Sequence, residues 1–372
     1  MIYFDNAATS FPKPREVLER VAKYVKSSCG NPGRSSHKLA AIAADEVFSA
    51  REKVAEFLGL DAPEKVVFTQ NATHALNMAI KTVIREPCHV LTSNLEHNSV
   101  IRPLEKLKRS LGVEYSLFSL SGNLYENLSR SLHTDTKAVI STLASNVTGA
   151  RADIEALSRF CENNRLKLIL DASQLVGHER INLSKTPCSM LCAPGHKALF
   201  GLQGSGFAVF CDGKIGESFM EGGSGADSRS TEMPSLLPER YEAGTLATPS
   251  IVSLAAGIDY LNSIGEENIR LHLEHITRRL SNALQDMKGI TLLAKENGIV
   301  LFNADGISSG KMASLLDREG ICTRGGLHCA PSAHRLLGTL EGGAVRISLS
   351  VMNTDGEIVR AIDTIRKIIK SQ

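Results

Sequence analysis

Residues 137–174, KAVISTLASNVTGARADIEALSRFCENNRLKLILDASQ, hold two short β-branched and apolar runs, KAVIST (137–142) and KLILD (167–171), separated by a helical pattern. A strand, a crossover helix and a second strand laid beside the first is the repeating unit of a parallel sheet. The alternation continues outward in both directions. KVVF (65–68), HVLT (89–92) and VEYSLF (113–118) precede it and GFAVF (206–210) follows, with helical patterns between. This predicts an α/β fold whose large domain, residues 16–250, is built on a mainly parallel seven-stranded sheet flanked by helices. Beyond residue 250 the pattern changes to two long helical stretches. GIVLF (298–302), a helix over 308–319, ICTR (321–324), VRISLS (345–350) and an amphipathic helix ending at Ile369 then follow. Residues 251–372, joined by the N-terminal segment 1–15, are expected to form a smaller α+β domain.

Composition narrows the class of partners. Lys and Arg total 42 against 40 Asp and Glu, a net charge of +2 with the signs interspersed, so neither a nucleic acid nor a membrane surface is expected as partner. The start, MIYFDNAATS, lacks a basic and apolar leader, and no later run approaches the roughly 20 apolar residues that span a bilayer. A cytoplasmic protein is expected. Eight cysteines without a CxxC pair or zinc-like spacing read as reduced thiols and give no metal site. Cys188 and Cys192, four apart in an apolar run, read as core.

Ligands of open parallel sheets collect where strand carboxyl ends lead into helices, so the residues after each run are the candidates. In MLCAPGHKALFG (190–201) an apolar strand leads to His196 and Lys197, and a glycine-rich GLQGSG follows. A lysine desolvated at a buried strand end keeps an amine neutral enough to attack an aldehyde, although the same residue alone also reads as a surface lysine. Asp171 ends KLILD, with Gln174 three residues on. It can pair with the nitrogen of an aromatic cation or cap the next helix. TQNATHALNMAI (69–80) sets small polar residues at a helix start, where free N–H groups and the helix dipole favour an anion, while Asn71 and Thr73 also read as plain caps. His97, in SNLEHNS (93–99), can stack on a flat ring or cap its helix. Together these strand ends suit one flat, anionic cofactor.

Cys329 lies in ICTRGGLHCAPSAH (321–334), beside His328, five residues after Arg324 and shortly after Gly325 and Gly326. Glycines can let such a loop swing, and nearby positive charge favours the thiolate nucleophile. The plainer reading is a small buried hydrophobe.

In this order DNAAT (5–9), NATHALN (71–77), EHNS (96–99), SNVTG (145–149), DASQ (171–174), GHK (195–197), YEAGT (241–245) and RGGLHCA (324–330) resemble the class V aminotransferase superfamily of fold-type I pyridoxal 5′-phosphate (PLP) enzymes. Within it the chain is similar to the cysteine desulfurases and selenocysteine lyases, and the motifs cover nearly its whole length. The resemblance implies that Lys197 carries PLP, that Asp171 faces the ring nitrogen and that Gln174 faces the phenolic oxygen. It makes His97 a stacking partner that also handles protons. Thr73 and His196 would hold the phosphate, and Asn146 would lie beside ring or substrate. Arg346, with Arg324 near it, would grip the substrate carboxylate, and a fork of this kind is one that lysine reproduces poorly. It further implies a homodimer in which Thr245 reaches the partner's phosphate. Relatives commonly carry a serine where this chain has Pro194, so another neighbour must supply that contact. The compact approach to RGGLHC resembles the branch with a short, ordered cysteine loop.

The implied reaction converts L-cysteine, or equally L-selenocysteine, to L-alanine and leaves sulfur on Cys329 as a persulfide for a carrier protein or small thiol. Transamination or β-elimination with a dispensable Cys329, and a cofactor-binding or sulfur-carrier protein without catalysis, are the competing readings. A nicotinamide enzyme is disfavoured, because no GxGxxG follows the first strand.

Overall fold

The computed structural model describes residues 1–33, 36–225 and 229–371. The chain begins with a short strand, β1 (Ile2–Tyr3), and two helices, α1 (Arg15–Ser27) and α2 (Lys38–Phe57). Strands and helices then alternate as β2 (Val66–Thr69), α3 (Ala72–Val83), β3 (His89–Ser93), α4 (Asn98–Leu111), β4 (Glu114–Phe118), α5 (Leu124–Arg130), β5 (Thr136–Thr142), α6 (Ile154–Asn164) and β6 (Lys167–Asp171). β7 (Met190–Pro194), β8 (Gly206–Phe210), α7 (Thr248–Ile264) and α8 (Glu266–Gln285) follow. The last part comprises β9 (Ile290–Glu296), β10 (Ile299–Ala304), α9 (Ser309–Arg318), β11 (Ile321–Cys322), β12 (Arg324–Gly326), α10 (Pro331–Leu336), β13 (Ala344–Ser348) and α11 (Asp355–Lys370).

Among the described residues, seven strands form one sheet in the order β2-β8-β7-β6-β5-β3-β4. The pairs from β7 through β4 are parallel, and β8 runs against both of its neighbours. The sheet expected from the sequence is therefore present. Apart from the edge strand β4, its strands are buried on both faces, as crossover helices on either side require. On β6, Leu168 and Leu170 join a core with Leu157 and Phe160 of α6, while Ile169 points to the other side with Ala75, Leu76 and Ile80 of α3 and Leu104 of α4. Each such buried Leu or Ile is worth roughly 1.5–3 kcal/mol, so the sheet gives its carboxyl-end loops a rigid base.

A second sheet, β12-β13-β10-β9, is antiparallel throughout. ICTR, which reads as one run, is divided between two sheets. Ile321 and Cys322 pair in parallel with β1, and Arg324 begins the strand paired to β13. The N-terminal segment bridges the two sheets: Asp5 bridges Ser348, the Ala7 N–H donates to the Ser348 hydroxyl at 3.0 Å, and Ser10 N–H donates to the His196 carbonyl at 3.1 Å. No helix among the described residues is long and apolar enough to cross a membrane.

Candidate active site

The carboxyl ends of β2, β3, β5, β6 and β7 converge on a cavity of about 160 Å³ whose wall includes Thr73, His97, Ser99, Asn146, Asp171, Gln174, Pro194, His196 and Lys197. Seven residues singled out from sequence thus meet in one place: Thr73, His97, Asn146, Asp171, Gln174, His196 and Lys197. Arg324, Arg346, Cys329 and Thr245 lie outside that wall, and Thr245 is exposed.

Lys197 sits in the turn after β7. Phe200 N–H donates to its carbonyl, Gly201 N–H closes on Gly195 O, and Gly195 N–H on Ser205 O. From behind, α7 presses so closely that a Cβ on Gly257 would stand 1.9 Å from Leu199 O. The Lys197 amine is lowered from 10.5 to about 8, first by loss of water; Asp171 opposes this shift, while Arg346 and Arg324 add to it. Asp171 is buried, and one of its carboxylate oxygens accepts from Ser173 N–H at 2.9 Å. Gln174, also buried, donates to Ala7 O at 3.0 Å, so the N-terminal segment closes this side.

At the anion end, Asn71 caps α3 by accepting from His74 N–H, and Thr73 stands one residue inside the first turn, at the open edge of the cavity. The Thr73 hydroxyl meets that of Ser99 at 2.8 Å, and Ser99 in turn reaches His97 Nδ1 at 2.9 Å. His97 fulfils the capping reading as well as lining the cavity, since its Nδ1 accepts from Ser99 N–H at 3.1 Å. An acceptor Nδ1 puts the proton of the neutral ring on Nε2. Burial lowers His97 to about 4, with Lys197, Arg324 and Arg102 adding to the effect against Asp171, so the ring is neutral near pH 7. His196 is likewise lowered to about 4, by burial and by Lys197 and Lys13.

Arg346 is 1% exposed; it donates to Asn146 O at 2.9 Å and to Asp5 at 2.6 Å, and its Nε is buried without a partner. Across the β12–β13 ladder it faces Arg324, which puts the two arginines side by side. Arg324 Nη2 is 3.9 Å from Cys329 Sγ, and that thiol is exposed. His328, the other basic neighbour named from sequence, brings no charge, because burial lowers it to about 3. Its Nε2 lies 3.1 Å from Arg324 O, an acceptor, so Nε2 carries the proton and Nδ1 accepts from His334 Nε2, also at 3.1 Å. Nor are Gly325 and Gly326 slack. They pair in β12, where a Cβ on Gly325 would meet Ser309 O at 2.5 Å.

His328 and Cys329 both adopt left-handed backbone, with φ of 51° and 59°. That conformation disfavours a side chain by roughly 1–2 kcal/mol per residue, so the turn needs external holds. It has them: Asn146 Nδ2 donates to His328 O at 2.7 Å and Asn98 N–H to Cys329 O at 2.8 Å. Asn146 and the start of α4 therefore tie the thiol turn to the cavity wall.

Four residues join the site that sequence reasoning passed over. Ser99 and Asp5 are described above. Lys13 donates to Ser10 Oγ at 2.8 Å and His196 O at 3.0 Å, and burial lowers it to about 8. Glu96, fully buried and next to His97 in the chain, accepts from Thr142 N–H at 2.6 Å and from the Ser93 hydroxyl. Burial, with Asp171 adding, raises it to about 8. Asp5 and Glu96 stand inside DNAAT and EHNS, so the motifs themselves held that signal.

A chain with this sheet and this cluster of lysine, carboxylate and helix-end hydroxyls belongs to the class-V aminotransferase family, whose sequence model matches residues 2–360. Curated relatives include probable cysteine desulfurases from Methanothermobacter thermautotrophicus, 30% identical over 99% of this chain and 94% of that protein, and from Pyrococcus abyssi, 29% identical over 100% and 95%. Among solved structures, the apo cysteine desulfurase of Thermococcus onnurineus NA1 superposes with a TM-score of 0.93 at 28% identity, covering 100% of this chain and 95% of that one.

Proposed function

We propose that the chain is a PLP-dependent cysteine desulfurase that converts L-cysteine to L-alanine and takes the sulfur onto Cys329 as a persulfide. One observation carries the reading: an exposed thiol, 3.9 Å from an arginine, sits on a turn hydrogen-bonded to the wall of a cavity that holds an amine of lowered pKa opposite a buried carboxylate.

The residues present fit the cofactor. Lys197 offers an amine to the aldehyde, Asp171 a carboxylate to the ring nitrogen, and Gln174 an amide to the phenolic oxygen. The α3 N-terminus, Thr73 and His196 would receive the phosphate. Ser99, hydrogen-bonded to Thr73, is suited to the contact that Pro194 cannot make. When bound through its aldehyde to a substrate amine, PLP draws electrons from the α-carbon into its ring.

The remaining steps belong to this chain's side chains. Asn146, Arg324 and Arg346 orient the substrate carboxylate, and His97 presents its ring with the proton on Nε2. The freed Lys197 Nζ takes the α-proton. Arg324 stabilises the Cys329 thiolate, whose Sγ attacks the substrate sulfur. A sulfur–sulfur bond forms as the carbon–sulfur bond breaks, and the electron pair left on the β-carbon collects a proton to give the methyl group of alanine. The products are alanine and a persulfide, which passes to a carrier protein or small thiol. The exposed Thr245 would complete the phosphate site of a second copy in a homodimer. L-selenocysteine meets the same groups.

The test is alanine release from L-cysteine by wild-type protein and by Cys329→Ser. The reading requires alanine from the first and its collapse in the second; pyruvate and sulfide released by both proteins in place of alanine favour β-elimination with a structural cysteine.

A further inference from the structure

Far from the cavity, at the other end of the same two strands, two more thiols meet. β7 and β8 run antiparallel, and the turn between them carries Lys197. At the open base of this hairpin, Cys188 precedes β7 and Cys211 follows β8, with their sulfurs 3.4 Å apart. Cys211 N–H donates to Ser189 O at 3.0 Å, which fixes the backbones beside one another. Cys188 is buried and Cys211 is partly open to solvent. The Cys188 thiol donates to Cys211 Sγ and the Cys211 thiol to Val209 O at 3.6 Å, so the accessible sulfur is the one that receives a hydrogen bond from its partner thiol, and Lys65 Nζ donates to the Cys211 backbone carbonyl at 3.1 Å. Cys188 and Cys192 are both buried in the core, as the sequence reading expected, and Cys188 also meets Cys211.

We propose that Cys188 and Cys211 are a redox-active pair that closes to a disulfide when the protein meets hydrogen peroxide. The Cys211 thiolate attacks peroxide: a sulfur–oxygen bond forms, the oxygen–oxygen bond breaks, and water leaves after protonation. Cys188 sulfur then displaces the hydroxyl of the sulfenic acid, forming the sulfur–sulfur bond and releasing a second water. Two thiols are oxidised and one peroxide is reduced. Burial of Cys188 leaves Cys211 as the attacking residue and makes Cys188 the resolving one. The bond closes residues 188–211 into a covalent loop containing Lys197, so the oxidised protein should resist unfolding more than the reduced one.

The test treats the intact holoenzyme with hydrogen peroxide, blocks remaining thiols with iodoacetamide, and digests with trypsin without reduction. The expected product joins peptide 186–197, through Cys188, to peptide 198–214, through Cys211. It disappears on reduction and is absent from Cys188→Ser and Cys211→Ser, and the oxidised wild type shows a higher urea midpoint. The proposal is overturned if the link runs through Cys192, if Cys211 stops at sulfenic or sulfinic acid beside an alkylated Cys188, or if both are alkylated while exposed Cys29 has reacted.

Discussion

Replacing Glu96 by glutamine tests the electrostatics beneath the site through folding stability, independently of turnover. The carboxyl is fully buried; one oxygen accepts two hydrogen bonds and the other has no partner. Its pKa rises from 4.5 to about 8. Between those values the unfolded chain has released this proton and the folded chain retains it, so stability falls as pH rises and levels off above the folded pKa. The slope is about 1.4 kcal/mol per pH unit, an order-of-magnitude total of 5 kcal/mol across the window. Glutamine keeps the accepting oxygen and cannot ionise, so Glu96→Gln removes this slope. Urea unfolding at pH 5, 6 and 7 should show the variant gaining about 2.5 kcal/mol on the wild type between the first and last points. Parallel stability curves would mean instead that Glu96 ionises as readily in the fold as in the unfolded chain.

Two further outcomes are expected. Gly149 has φ of +75°, and a Cβ there would stand 1.9 Å from Glu296 O, so Gly149→Ala should lower stability by about 2 kcal/mol or more and loosen Asn146, read as a lower urea midpoint. Uptake of PLP by apoprotein, followed by visible absorbance, should accelerate as pH rises through about 8, where the Lys197 amine loses its proton, rather than near 10.5; Lys197→Ala should form no lasting band.

The large sheet was legible because β-branched and apolar runs recur between helical patterns. The reversed direction of β8 was not, since GFAVF buries equally well either way along a strand. β9 mixes partly buried residues with exposed ones at the edge of its sheet, a weaker signal than the fully buried runs. Lys197, Asp171 and His97 could be picked out because each ends a strand or lies in the short loop just after one. Contacts made across the chain were hidden. Asp5 meets Arg346, 341 positions away, and Asn146 holds the turn at His328, 182 positions away. Cys329 was legible from composition around it, but its left-handed turn was not, because Asn146 and Asn98, from elsewhere in the fold, hold it. The reading of Gly325 as slack failed because close backbone packing and flexibility call for the same residue.

In the proposed reaction Cys329 receives the sulfur. The direct measurement is mass spectrometry of the protein after one equivalent of L-cysteine, without reductant and with alkylation to trap persulfides. The expected result is one added sulfur atom on the peptide carrying Cys329, matched by one alanine released and reversed by a reducing thiol. Alanine without that added sulfur, or sulfur on another cysteine, would contradict it.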